Sequence, residues 1–370
     1  MTSTAAPAHR ELRSSLALFF MPNLGPVRVK ALLEAFGTAE RVLAASLTEL
    51  RGVSALEASS LSSLTSSPAR EAAFARGDTE LERAGRVGAQ IIGFSHAAYP
   101  EALRAIFDPP PLLWVRGRLS ALEGLQSATP RAIGVVGTRK CSPHARAFTV
   151  TLAGDLAGSG VVVVSGLARG IDTAAHVAAV DAGGVSIAVL GCGIDTIYPS
   201  ENRALSERLT VVSGYPIGTP PAAHNFPARN RIIAGLSSGV VVVEGDIGSG
   251  SLITAVAALE NGRTVFAVPG RPNDPNARGP NRLIKDGAAL LEGANDILDE
   301  FRWGGAVQRA VMPTLEGDEA RVYAALEGEL LLDDLVLRTA LSGPQITVAL
   351  MMLTLKNVVL ELPGGRYSRG

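Results

Sequence analysis

Three times in the middle of this chain, a run of core-type residues ends in a glycine-rich turn that opens a helix. Gly134-Val135-Val136-Gly137-Thr138-Arg139 closes the run 132–136. Ser165-Gly166-Leu167-Ala168-Arg169-Gly170-Ile171-Asp172 follows 161–164, and Gly245-Asp246-Ile247-Gly248-Ser249-Gly250-Ser251 follows 240–243. Valine-rich runs without in–out alternation suit strands covered on both faces. Similar runs occupy 91–94, 186–190 and 264–268, and helical segments at about 143–158, 172–182, 199–208, 229–236 and 250–261 separate them. Repeated strand–helix–strand units predict an α/β domain over 79–302, built as a Rossmann-like, doubly wound parallel sheet. The proline-rich stretch 108–114 predicts an extended lead-in strand.

The flanks read differently. Residues 1–78 predict a helical module. Within it, a Gly25-Pro26 turn leads into an amphipathic helix closed by Gly37, and a second short helix carries Leu50 and Val53. This pattern resembles helix-hairpin-helix or SAM-like modules, whose turn amides can hold a DNA phosphate; plain helical packing is the alternative, and the local charge favours it. The serine-rich stretch 59–67 predicts a loop or a frayed helix end. Residues 303–312 read as a linker. The tail, 313–370, reads as three short helices, then a strand, a Gly364-Gly365 turn and another strand, which resembles a winged helix.

Charge narrows the function classes. Across 370 residues, 34 Lys and Arg face 35 Asp and Glu, a net charge of −1, so any polyanion must meet a local concentration of cations. Lysine occurs only at positions 30, 140, 285 and 356; the other cations are arginines, which fork onto phosphates. Two cysteines without Cys-x-x-Cys spacing, and five scattered histidines, predict no disulfide framework and no metal site. No apolar run approaches the roughly 18 residues of a membrane span. A cytoplasmic protein without a cofactor is expected.

Loops at the carboxyl ends of strands in an open α/β sheet form a ligand crevice. Glycine permits close backbone approach, and helix N-termini present N–H groups to an anion. The first loop is not Gly-x-Gly-x-x-Gly, and Ser165 stands where a dinucleotide site has a carboxylate. None of the three loops has a Walker lysine. Arg139, Arg169, Arg229 and Arg231 accompany the glycines, and together with Phe226 they suit a polynucleotide: phosphates on cations, a base on the ring. Core packing is the alternative for Phe226. For Arg231 it is an ion pair, for instance with Glu244.

The motifs together resemble the DprA/Smf DNA-processing family. They are GVVGTR (134–139), SGLARGID (165–172) with His176, GCGIDTIYP (191–199), NFPARNRIIAGLS (225–237), GSGSLITA (248–255), VPG (268–270) and GPNRLIKDGA (279–288), with the lead-in 99–117. The resemblance covers the whole chain. It implies a single-stranded DNA-binding protein of natural transformation that protects incoming strands, loads RecA recombinase and dimerises through the Rossmann-like domain. Contact with duplex DNA is left open. By motif position, Arg139 and Arg169 would contact phosphates beside Gly137 and Thr138. Ser165, Gly166 and Gly170 would supply backbone approach, and Asn225, Phe226, Arg229, Asn230 and Arg231 would complete the trough.

Two rival readings remain. Nucleotide phosphoribohydrolases share a distantly similar core, but their Pro-Gly-Gly-x-Gly-Thr loop and following carboxylate are missing at 245–254. Asp172, expected as a helix cap, and Glu244 are the acids left for such chemistry. A protein adaptor with an unused trough is the other. In the tail, five basic residues against eight acidic ones leave −3, and the presumed recognition helix 344–355 has no cation. That predicts a protein-interaction or dimer-supporting module, because DNA binding draws on phosphate neutralisation.

Overall fold

The computed structural model describes residues 5–304, 315–356, 358–362 and 364–369. They form two compact units, within 1–306 and within 307–370.

The first unit is built on nine strands: β1 (Gln90–Gly93), β2 (Leu112–Arg116), β3 (Ala132–Val136), β4 (Val162–Ser165), β5 (Ser186–Leu190), β6 (Thr210–Ser213), β7 (Gly239–Val242), β8 (Thr264–Ala267) and β9 (Ala289–Leu290). Their order is β1-β2-β6-β5-β4-β3-β7-β8-β9. From β6 to β9 every neighbour is parallel, with helices Pro143–Gly158, Ile171–Asp181, Asn225–Gly235 and Gly250–Glu260 in the connections. Strands β3, β5, β6 and β7 are buried along their whole length, as a sheet covered on both faces requires. The doubly wound reading therefore holds. The chain leaves β3 toward β4 on one side and returns to β7 on the other, so the strand order reverses at β3.

The sheet departs from the expected all-parallel pattern at one edge. β1 and β2 pair antiparallel, and β2 is also antiparallel to β6. Strand direction leaves no trace in an apolar run, and β6, with Thr210 and Ser213 at its ends, and the two-residue β9 do not stand out as runs at all. Helix Gly250–Glu260 and its neighbours fall close to their expected positions; the expected helix 199–208 is a short 3-10 turn followed by Arg203–Ser206.

The helical module comprises helices Ala5–Phe20, Pro26–Phe36, Ala39–Ala44, Leu47–Arg51, Ala58–Thr65 and Ser67–Arg86. Gly37 closes the second at φ 82°, as its place after the apolar face predicts. The serine-rich stretch is a helix, not a loop. Ser60 is buried and donates to the Asn23 carbonyl (2.9 Å), and Ser63 accepts from the Asn23 side chain (3.2 Å). The expected boundary at 78/79 falls inside the continuous helix Ser67–Arg86. The module and the sheet share one core, in which Leu16, Leu18 and Leu32 join Trp114, Leu112 and Val115. Phe19 meets Trp114 edge-on at 5.3 Å.

Trp303 stacks on Phe301 at 4.6 Å, so the first unit reaches past the expected linker start at 303; residues 305–312 of that linker lie outside the described residues. The second unit has helices Gly317–Ala325, Leu332–Thr339 and Gly343–Leu355. Strands β10 (Leu330–Leu331), β11 (Val359–Leu362) and β12 (Arg366–Arg369) pair in the order β10-β12-β11, the winged-helix arrangement. Val322, Leu335, Ile346 and Leu353 centre its separate core. Among the described residues, no single helix is long and apolar enough to cross a membrane.

Candidate nucleic-acid interface

The switch point at β3 opens into a trough of about 300 Å³. Gly137, Thr138 and Arg139 line it from the loop after β3, and Phe226, Arg229 and Asn230 from helix Asn225–Gly235. A smaller hollow adjoins it, walled by Gly166, Arg169, Tyr198 and Phe226. Eight of the twelve residues expected at the site therefore converge there.

The other four serve the scaffold. Ser165 is fully buried and donates to the Val135 carbonyl at 2.6 Å, locking β4 to β3. Gly170 adopts φ 75° beneath the Thr138 and Arg139 carbonyls, where a Cβ would collide with the backbone. Asn225 is buried and reaches the Pro220 carbonyl at 3.4 Å. Arg231 pairs at 2.6 Å with Asp108 of the lead-in, not with Glu244. Glu244 instead accepts from the Ser142 backbone and hydroxyl (3.0 and 2.6 Å), at the start of helix Pro143–Gly158.

Arg229 is the centre of the trough. It is only 5% exposed, yet among the described residues it makes no hydrogen bond and no ion pair within 4 Å. Its guanidinium lies directly over Gly166, where any Cβ would overlap it. Burial pushes its pKa down, against the attraction of Asp172. A buried, charged fork with unused donors is costly in isolation and suited to an incoming anion.

Asp172 does not cap its own helix; Gly170 holds that position. Its carboxylate reaches back to accept from the Gly166 and Ala168 amides (3.1 and 3.3 Å). Those amides flank Leu167, held at φ 58°, a conformation that a leucine rarely adopts. The acid thus fixes a strained loop under Arg229 and uses up two N–H groups that would otherwise be open to a phosphate. Burial raises its pKa, with Arg229 and the two amides pulling the other way.

Helix Gly250–Glu260 starts at the trough with no side-chain cap, so its first N–H groups face the cavity beside Ser249, Gly250 and Ser251. The glycine-rich loop 245–251 carried the signal for these residues. Arg139 is exposed, has no carboxylate within 4 Å among the described residues, and lies 5.6 Å over the Phe226 ring. Phe226 in turn lies 5.9 Å from Tyr198, a residue not anticipated at the site. Asn230 donates to the Gly250 carbonyl at 3.1 Å, tying two of the site's helices together. Arg169 is held bidentate by Glu201 at 2.8 and 2.7 Å.

His176 belongs to the core. It is fully buried, its Nδ1 sits 2.7 Å from the Ser186 hydroxyl, and burial drives its pKa down to about 3. Among the described residues no cluster of side chains can hold a metal ion.

Residues 90–302 match the family described as DNA recombination-mediator protein A, and residues 308–365 match the DprA winged helix domain. Protein Smf of Escherichia coli is 40% identical over 282 residues, covering 72% of this chain and 74% of that protein. The DNA processing protein DprA of Bacillus subtilis is 43% identical over 218 residues, or 58% and 72% of the two chains. Among solved structures, DNA processing protein A from Streptococcus pneumoniae superposes with a TM-score of 0.65 at 32% identity, covering 78% of this chain and 97% of that one. DNA processing protein A from Helicobacter pylori, solved for its single-stranded DNA binding mode, gives a TM-score of 0.51 at 29% identity over 58% and 96%.

Proposed function

This chain belongs to the DprA/Smf family of DNA recombination mediators, and from that premise we propose that it binds single-stranded DNA in the trough at β3. The observation that carries the reading is Arg229, a buried guanidinium with idle donors facing an uncapped helix N-terminus. A phosphate completes both at once. Arg139 adds a second cation at the rim, and Phe226 and Tyr198 offer faces on which bases stack. Nothing in this assembly reads a base edge, so the binding tolerates any sequence.

The role is binding and not catalysis. Both acids available to a hydrolase are already engaged, Asp172 with the loop amides and Glu244 with Ser142. The protein works in the cytoplasm, where it protects incoming strands during natural transformation and loads RecA onto them. It does so as a homodimer of the sheet domain. Ile253, Val256 and Leu259 form an exposed apolar stripe along helix Gly250–Glu260 and support that assembly. The winged-helix tail supports protein contact: Val348, Met351, Met352 and Leu355 are exposed on its presumed recognition helix, which carries no cation.

Fluorescence anisotropy of labelled oligo-dT against a duplex, titrated across salt, tests the core of the reading. Tight, salt-sensitive binding of the single strand, lost in Arg139→Glu, is expected. Absence of binding by the parent at low salt would remove the function. RecA filament assembly on strands precoated with single-strand binding protein tests the loading role.

A further inference from the structure

A second cleft, of about 620 Å³, lies between helix Ser67–Arg86 and the loop after β6. Arg76, Thr79, Glu80 and Arg83 face it from successive turns of that helix; Phe20 and the 216–220 loop complete it. Arg76 lies 4.4 Å over the Phe20 ring. Six of the ten cations of the helical module are committed: Arg10 to Glu40, Arg13 to Asp78, Arg28 to Glu57, Arg86 to Glu82, Lys30 to the Ile106 carbonyl and Arg70 to the Leu43 carbonyl. Arg76 and Arg83 are exposed, and neither has a carboxylate within 4 Å among the described residues. Glu80 also faces the cleft, but it is buried and accepts from the Ile217 amide at 2.7 Å.

The opposite wall is rigid and wired to the trough. Gly218 donates to Asp195 (3.0 Å), Gly193 donates to the Thr219 carbonyl (2.9 Å), and the Tyr215 hydroxyl donates to the Asn225 carbonyl at the head of the trough's helix (3.2 Å). Both sites lie at the carboxyl ends of parallel strands. β6 is three strands from β3, a separation of about 14 Å at ordinary strand spacing. Tyr198, half exposed after β5, stands between them. Along this rim, Arg76 and Arg83 are followed by Tyr198 and then by Phe226 with Arg139 and Arg229; Phe20 is buried beneath Arg76, and Arg169 is held by Glu201. Aromatic faces set among cations are the chemistry of an unpaired nucleic-acid strand. The rim's acids, Glu80, Asp195 and Glu201, each already accept from a fixed donor.

We propose that the cleft between Arg76, Arg83 and the 216–220 loop is a second subsite for single-stranded DNA, taking the phosphates of the strand that continues out of the trough past Tyr198. The proposal rests on the single-strand reading of the trough. It assigns the helical module a direct hold on the ligand.

The test compares a short oligo-dT of roughly 6 nucleotides, enough for the trough alone, with one three times longer. Arg76→Glu/Arg83→Glu should weaken the long strand about tenfold and lower its log–log salt slope by about 1.4, two phosphate contacts on a single strand. It should leave the short strand unchanged, and Arg76→Lys/Arg83→Lys should keep the long-strand affinity. A long oligonucleotide carrying 5-iodouracil should crosslink to Tyr198. Parental long-strand affinity in the glutamate pair overturns the proposal and leaves the trough standing, as does an equal loss for both lengths. Failure of the parent to bind either length removes the trough reading itself.

Discussion

Arg229→Met separates binding from stability, because the two should move in opposite directions. The guanidinium is buried, lacks hydrogen bonds among the described residues, and has its pKa pushed down by burial even after the attraction of Asp172 is counted. Its environment therefore disfavours the charge on balance, and an arginine does not escape by deprotonating. The gain known for exchanging a whole buried ion pair for apolar side chains does not apply in full, because Asp172 stays behind; what the substitution relieves is the desolvation cost of a guanidinium without hydrogen bonds. The Met variant should be at least as stable as the parent, because Asp172 keeps its two amide donors when its neighbour goes. Binding should fall. A charge-assisted hydrogen bond is worth about 1.5–3 kcal/mol, or about 10- to 150-fold in affinity, and the salt slope should drop by about 0.7. Urea unfolding with and without oligo-dT reads both effects. The parent should gain about 2.7 kcal/mol from ligand at a hundred times Kd, and the variant far less. A variant that unfolds more easily, or that binds with the parental slope, would refute the view that Arg229 is held in reserve for a phosphate.

Gly166→Ala should leave stability within about 1 kcal/mol while weakening single-strand binding about tenfold, because the new methyl displaces the mobile end of Arg229; parental affinity in anisotropy would count against the stacked geometry. His176 is held neutral, with its pKa lowered from 6.5 to about 3, so the unfolded chain binds the extra proton as pH falls below 6.5. Stability should then decline by about 1.4 kcal/mol between pH 8 and 5.5 through this group, and His176→Gln should flatten that part of the slope in denaturant titrations. A chain ending near residue 310 should keep most of its single-strand affinity, and a collapse in the folded fragment would return DNA contact to the winged helix.

The sheet and the rim were legible because both leave local marks. Unbroken valine runs report strands buried on two faces, and a glycine turn after each run marks where the crevice opens. What stayed hidden depends on partners far away in the chain. Arg229 and Arg231 sit two positions apart in one motif, yet one is poised over Gly166 and the other is spent on Asp108, 123 residues earlier. Glu244 serves Ser142 across 102 residues. The cleft at Arg76 and Arg83 unites a helix with a loop 137 residues later through the Glu80–Ile217 bond. No spacing rule reaches that far, and two arginines on a charged helix look like an ordinary solvated face. The boundary at 78/79 failed for a related reason: composition changes there, but the helix and the core do not.

That shared core also orders events at the ribosome. Leu16, Leu18 and Phe19 are made about a hundred residues before their partner Trp114. At about 5–20 residues per second, the helices that carry them wait some 5–20 s before the surface that covers them exists. For that interval the nascent chain presents an oily face, and it is then that a holding chaperone would have most to gain. Production of this protein should depend on such a helper, or on slow synthesis at low temperature, more than its finished, well-buried interior suggests.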